Sequence, residues 1–231
     1  MDNMLEYKKI DDILSPIPKG SEVSVITSSG SFSPPHKMHL KMLEEAKLHL
    51  EKKGEKVIAC ILAPSTEEYV KMKLRNDAIE YKDRLEMCRI LCKNSKYISV
   101  TEIYSCNGYE VRKLTKYYLK QHYNYQYKFK VYSIFGADYY YRYPTAIMYG
   151  KNLIAYLRPG YDLKKLKAFV DEESFSKLEI VNGQQNDLSS TKIRELIHQN
   201  KINEITQMTS PEILDYIIKI NLYDCKKYIN K

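Results

Sequence analysis

Two imidazoles carry the first hint of chemistry. His36 and His39 stand within residues 23–40, VSVITSSGSFSPPHKMHL. Their spacing suits one end of a helix, where free backbone N–H groups already favour an anion. An imidazole beside a phosphate can donate a hydrogen bond to developing negative charge. A second group lies at 188–194, LSSTKIR, where Ser189, Ser190 and Thr191 bring hydroxyls and Lys192 and Arg194 bring cations. Hydroxyls and N–H groups at a helix start, with a planar guanidinium a turn later, could hold phosphate; taken alone the segment reads as a Ser-capped surface helix, and phosphate binding is the preferred reading only beside the first motif.

Positioning these groups requires a strand, a loop and a helix in succession. Val23, Val25 and Ile26 read as a short buried strand, broken by Ser28, Ser29, Gly30 and Ser31. Pro34 and Pro35 cannot continue a strand and suit the approach to a helix. Leu40, Leu43, Ala46 and Leu50 then recur on one helical face. The same alternation runs on. Strands are expected at 57–62, 97–103, 130–135, 153–157 and 178–181, and helices at 81–93, 109–122, 190–199 and 211–220. A helix is also expected over 139–149, and a short one after Asp162 as its cap, using Leu163, Leu166 and Phe169. Ser210 and Pro211 read as the cap and first residue of the last helix. Residues 64–73 read as a loop offering Tyr69, Lys71 and Lys73.

Alternating strands and helices predict an α/β fold with a doubly wound, mostly parallel sheet. Ligands in such sheets bind beyond the carboxyl ends of the strands, near the reversal in strand order. Gly30, Pro64, Asn107, Gly136, Arg158 and Asn182 all follow expected strands and should converge on that edge. Residues 1–20 read as a leader with one amphipathic helix built on Tyr7, Ile10, Ile13 and Leu14. Residues 21–231 read as a single domain, with 190–225 a small helical C-terminal part.

Composition narrows the classes. A chain of 231 residues with 44% hydrophobic and 29% charged residues supports one sizeable globule. No apolar run is long enough for a membrane span, and the N-terminal residues lack a signal-peptide core. Five cysteines, an odd number without a CxxC pair, fit a reducing intracellular home, cytoplasmic or nuclear. Cys88 and Cys92 share a helical face and read as core rather than metal ligands. A net charge of +8 suits either nucleotide substrates or a nucleic acid. Arg112, Lys113, Lys116 and Lys120 interleave with Tyr117 and Tyr118 in a pattern that could grip a single strand, but a solvated helix face is the preferred reading.

The segment GSFSPPHKMHL resembles the GSFxPxHxxH signature of the HxGH-type nucleotidyltransferases, and LSSTKIR resembles their ISSTxxR motif, in the right order. Among them the chain is most similar to nicotinamide/nicotinate mononucleotide adenylyltransferases, from about Val23 to Tyr223. It departs from the usual pattern at Met38, where Gly normally precedes the second histidine. The resemblance implies a Rossmann-like nucleotidyltransferase fold and transfer of the adenylyl group of ATP to nicotinamide or nicotinate mononucleotide, releasing pyrophosphate. It implies His39, His36 and Arg194 as catalytic contacts. ATP would be held by Gly30, His39, Gly136, Asp138, Ser190, Thr191, Lys192 and Arg194. The mononucleotide would be held by Ser31, Phe32, Tyr69, Lys71, Tyr109, Tyr149, Arg158 and Asn182, with Tyr109 and Tyr149 stacking on the pyridine ring. Mg²⁺ would accompany ATP with few or no protein ligands, so no metal residues are assigned. Other adenylyl- and cytidylyltransferases of the superfamily are the nearest rival, and SPEILDYIIKINLY, which resembles the C-terminal end of the pyridine-nucleotide group, argues against them. Amide or acid preference stays open, as does a homo-oligomeric state.

Overall fold

The computed structural model describes residues 4–158, 164, 167, 168, 170–183, 188–199 and 201–228. The apolar run at 57–62 lies in the middle of the molecule, as strand β2, Val57–Pro64, buried along its whole length. Beside it run β1, Glu22–Gly30, and β3, Ile98–Val100; beyond β1 lie β4, Lys128–Gly136, β5, Leu153–Leu157, and β6, Leu178–Asn182. Among the described residues these form one six-stranded sheet in the order β3-β2-β1-β4-β5-β6, every pairing parallel. The order reverses between β1 and β4. Both strands end in glycine at the same edge, β1 at Gly30 and β4 at Gly136, and a crevice opens there.

Helices cover both faces. On one face, α2 (Lys37–Lys52) and α4 (Tyr81–Cys92) bury Leu43, Ala46, Leu50, Met87 and Cys88 against Ile26, Cys60 and Leu62. The other face takes α1 (Tyr7–Leu14) and α5 (Gly108–His122), where Ile10, Leu14 and Leu119 pack on Val23, Val25 and Ile58. The N-terminal helix is thus part of the core, and Lys9 of α1 donates to the carbonyls of Cys92 and Ile98 at 3.1 and 2.9 Å.

Three expectations change. Residues 67–74 form a helix, α3 (Glu67–Leu74), where a loop was expected. Thr66 caps it by accepting from the Tyr69 N–H at 3.4 Å. Glu67 and Glu68 sit in its first turn and Lys71 and Lys73 in its last, the arrangement the helix dipole favours. The third strand is shorter than 97–103. After Val100 the chain leaves the sheet, and Thr101 donates through its hydroxyl to the Met4 carbonyl at 2.6 Å. The helix expected at 139–149 is two, α6 (Ala137–Arg142) and α7 (Thr145–Tyr149), because Pro144 lacks the N–H that would continue it. Asp138 therefore does not cap a helix; it lies in the first turn of α6, which starts from Gly136. The short helix expected on Leu163, Leu166 and Phe169, and its cap Asp162, lie outside the described residues.

After β5 come α8 (Glu172–Ser176), α9 (Ser190–His198), α10 (Ile202–Ile205) and α11 (Pro211–Lys219). Ser210 accepts from the Ile213 N–H at 3.3 Å and Pro211 opens α11, as expected. Ile193, Ile197, Ile213 and Ile217 bury these helices against the same core as α2 and α4.

Candidate active site

The cleft at the β1/β4 reversal has a volume of about 220 Å³. Its floor is the end of β1, Ser28 to Phe32, facing Gly136 and Asp138 from the end of β4. His39 reaches it from α2, Tyr69 and Lys73 from α3, Arg142 from α6 and Arg158 from the end of β5. Convergence of strand ends on one edge, expected from the sequence, brings together Gly30, Ser31, Phe32, His39, Gly136, Asp138, Tyr69 and Arg158.

Local contacts fix the two imidazoles. The His36 N–H donates to His39 Nδ1 at 3.0 Å. Nδ1 is therefore an acceptor, and the proton of a neutral ring sits on Nε2, a hydrogen-bond donor. Phe32 meets the His39 ring edge-on at 4.8 Å between centroids, and His36 lies against it at 3.8 Å. Phe32 holds a positive φ of 45°, which turns the chain sharply after Gly30. His36 is buried, and burial followed by the Arg158 charge lowers its pKa to about 3. His39 is pushed well below the ordinary imidazole value by burial, then by His36 and Arg158. Both rings are neutral at physiological pH. His39 is a fixed neutral donor, and His36 backs it.

The cations are placed differently from the sequence reading. Lys71 turns away from the cleft, pairs with Glu67 at 2.5 Å and is largely exposed. Lys73, two residues on, lines the cleft and donates to the Ser31 hydroxyl at 3.3 Å. Partial desolvation, then the Arg142 charge, hold its amine below the usual lysine range. Arg142 pairs with Asp138 at 2.6 Å across one turn of α6.

Arg194 is buried and does not line the cleft. Its Nη1 donates to the Ser33 carbonyl at 2.8 Å and its Nη2 to Thr191 Oγ1 at 3.2 Å, while its Nε lies 3.6 Å from the Asp77 carboxylate. Ser190 donates through its hydroxyl to the Pro34 carbonyl at 2.8 Å, and Ser189 caps α9 by accepting from the Lys192 N–H at 3.1 Å. The start of α9 is thus docked on the 33–34 turn, next to Phe32. The two motifs are joined in space, with Arg194 as the tie between them. Thr191 and Lys192 are exposed on the same end. Asn182 is exposed at the end of β6 and does not line the cleft.

A second cavity of about 400 Å³ adjoins the cleft through Phe135 and Tyr139, which line both. Tyr109 and Tyr149, two sequence candidates from different helices, both line it. Its wall is made by a close approach. Asn107 caps α5, and Gly108 comes so near β4 that a Cβ there would lie 2.2 Å from the Phe135 ring.

Sequence reasoning missed Arg84. It is fully buried in α4, donating from Nε to the Ile79 carbonyl at 2.9 Å and from Nη1 to the Ser31 carbonyl at 3.0 Å. It holds the cleft floor from behind. Nothing in a helix carrying Leu85, Met87 and Cys88 marks one arginine among its charged residues as buried. Arg142 was missed as well, although its i,i+4 spacing from Asp138 is readable.

An all-parallel sheet with its cleft at the strand-order reversal, floored by backbone and small hydroxyls and ringed by cations and a neutral imidazole donor, defines a nucleotide-binding protein of the Rossmann-like class. Comparison with known proteins sharpens this. The profile of the cytidylyltransferase-like family matches residues 28–196, and the chain belongs to that family. A nicotinamide/nicotinic acid mononucleotide adenylyltransferase of Arabidopsis thaliana is 26% identical over 218 residues, covering 86% of this chain and 89% of that protein. One of Oryza sativa subsp. japonica is 35% identical over 78 residues, 34% of this chain and 30% of that protein. Among solved structures, the nicotinic acid mononucleotide adenylyltransferase of Plasmodium falciparum complexed with NaAD superposes with a TM-score of 0.58 at 22% identity, over 87% of this chain and 98% of that one. At that identity the likeness is one of fold.

Proposed function

We propose that this protein is an enzyme that transfers the adenylyl group of ATP to nicotinamide or nicotinate mononucleotide. The product is the corresponding dinucleotide, and pyrophosphate leaves. The observation that carries this is the joining of the two motifs. The α9 start and Arg194 are hydrogen-bonded onto the turn that presents Phe32 and His39 to a cleft with aromatic space beside it. The Arabidopsis relative, aligned over most of both chains, supports the same substrate class.

In this reaction an oxygen of the mononucleotide phosphate attacks the α-phosphorus of ATP, a new P–O bond forms, and the bond to the β-phosphate oxygen breaks. The protein contributes position and charge. His39 Nε2–H donates to the α-phosphate oxygens, where charge grows. Its neutral state lets it do so without giving up its proton. Lys73, Arg142 and Arg158 surround the phosphates. Gly30 and Gly136 let backbone approach the nucleotides closely, and Asp138, which lines the cleft, accepts from a ribose hydroxyl in this reading. Ser190, Thr191 and Lys192 present the α9 start to the outer phosphates, with Arg194 holding that start in place. Asp138 is the one carboxylate among the described cleft-lining residues and already pairs with Arg142, which does not amount to a resident metal site. Mg²⁺ would enter with ATP as part of the substrate, ligated mainly by phosphate and water.

The test is pyrophosphate release from ATP, Mg²⁺ and either mononucleotide. Wild type is expected to turn over, and His39→Ala to fall by roughly 10²–10³-fold with an unchanged circular dichroism spectrum. Turnover in His39→Ala near the wild-type rate would remove His39 from the mechanism.

A further inference from the structure

The cavity between Tyr109 and Tyr149 is walled by rings and aliphatic side chains, with one charged residue among the described residues that line it, Arg112. Its guanidinium lies over the Tyr109 ring, 5.4 Å from the centroid. Its Nη1 is buried and has no hydrogen-bond partner. Among the described residues no acidic one lines the cavity, and the other polar side chain on the wall nearest β4, Ser133, already donates to the Gly108 carbonyl at 3.4 Å. Burial, not any carboxylate, governs the Arg112 charge, and its pKa is lowered.

A buried cationic donor without an acceptor is costly, and a ligand that supplies the acceptor recovers that cost. Guanidinium has donors only. A carboxylate has acceptors only, on two oxygens that match the guanidinium fork. A carboxamide offers one acceptor oxygen and an NH₂, and that NH₂ would face a second donor. We propose that Arg112 is a specificity-determining residue that makes this site select a pyridine mononucleotide bearing a carboxylate over one bearing a carboxamide.

This rests on the adenylyl-transfer reading and deepens it. With the ring between Tyr109 and Tyr149, its 3-substituent meets Arg112, while the phosphate extends past Phe135 and Tyr139 into the main cleft. The discrimination belongs to the type in which a site built for one polar pattern rejects the analogue that leaves its buried groups unpaired.

The experiment compares kcat/KM for nicotinate and nicotinamide mononucleotide, with saturating MgATP, in wild type, Arg112→Gln and Arg112→Lys. Wild type is expected to favour the acid by about tenfold or more, the scale of one charged hydrogen bond. In Arg112→Gln the acid-to-amide ratio should fall by about tenfold or more, because Gln offers both a donor and an acceptor. Arg112→Lys should retain an intermediate preference. A wild type without acid preference overturns the proposal, as does an Arg112→Gln variant that loses both activities equally, which would mark Arg112 as structural. Calorimetric binding of the two mononucleotides to wild type, without ATP, keeps the inference separate from the reaction. No turnover together with tighter binding of the acid sinks the adenylyl-transfer reading and keeps Arg112. Equal binding of the two sinks Arg112 even if turnover is seen. If Arg112→Gln does not fold, the wild-type binding ratio and Arg112→Lys decide.

Discussion

At the scale of single residues, neighbouring lysines on one short helix have opposite fates. Lys71 and Lys73 are two positions apart, about 200° around α3, so one faces Glu67 and solvent while the other faces Ser31 and the cleft. Of the two, only Lys73 lines the cleft. Lys73→Ala is therefore expected to lower kcat/KM by about tenfold, the cost of a charged hydrogen bond. Lys71→Ala should stay within about twofold, since an exposed ion pair contributes little. Steady-state kinetics on the two variants checks this, and the reverse order would show that α3 is turned differently when substrates bind. The sequence expectation of a loop at 64–73 does not tell the two lysines apart, because a loop assigns no faces. The capping pattern Thr66-Glu67-Glu68 with Lys71 and Lys73 behind it was the available signal.

At the scale of elements, the site depends on how closely α5 approaches β4. Gly108 is the contact point, and its lack of a side chain lets the Phe135 ring separate the cleft from the aromatic cavity. Gly108→Ala puts a methyl where the ring already is. It should cost about 1–3 kcal/mol of stability, read as a lower urea midpoint with an unchanged m-value, and should raise KM for the mononucleotide more than for ATP. An unchanged midpoint would mean that Phe135 shifts freely and that the wall between the cavities is soft. Much at this level was legible beforehand. The buried run at 57–62, the strand-loop-helix at 23–50 and the Ser210-Pro211 start of α11 came from periodicity and capping alone. Other features depend on tertiary partners. Beyond Val100 the Thr101 hydroxyl and the Glu102 N–H both donate to the Met4 carbonyl, so the N-terminal segment lies where the third strand was expected to run on. The buried Arg84 has meaning only once the Ser31 turn is folded against it.

At the scale of the whole molecule, the two motifs are distant in the chain because the sheet must be wound outward in both directions before it can close the site. The segment from 22 to 100 builds β1, β2 and β3 on one side of the reversal; β4, β5 and β6 follow on the other. Helix α9 then returns across the face to dock on the 33–34 turn, held by Ser190 and Arg194. Asp77 pairs with both Arg194 and His198 and so tethers that returning helix to the short turn, Arg75–Asp77, that follows α3. The sequence showed both motifs and the edge on which they meet. It did not show that Arg194 would be held by the Ser33 carbonyl, with the cleft left to Lys73, Arg142 and Arg158. The site is a meeting of both halves of the sheet, and its occupant must span from the histidine end to the aromatic cavity. A crystal structure with the dinucleotide product bound tests this most directly. The expected result puts a product phosphate oxygen within hydrogen-bond distance of His39 Nε2, with the pyridine ring between Tyr109 and Tyr149. A product bound with its pyridine ring outside that cavity, or with its phosphates away from His39, would contradict it.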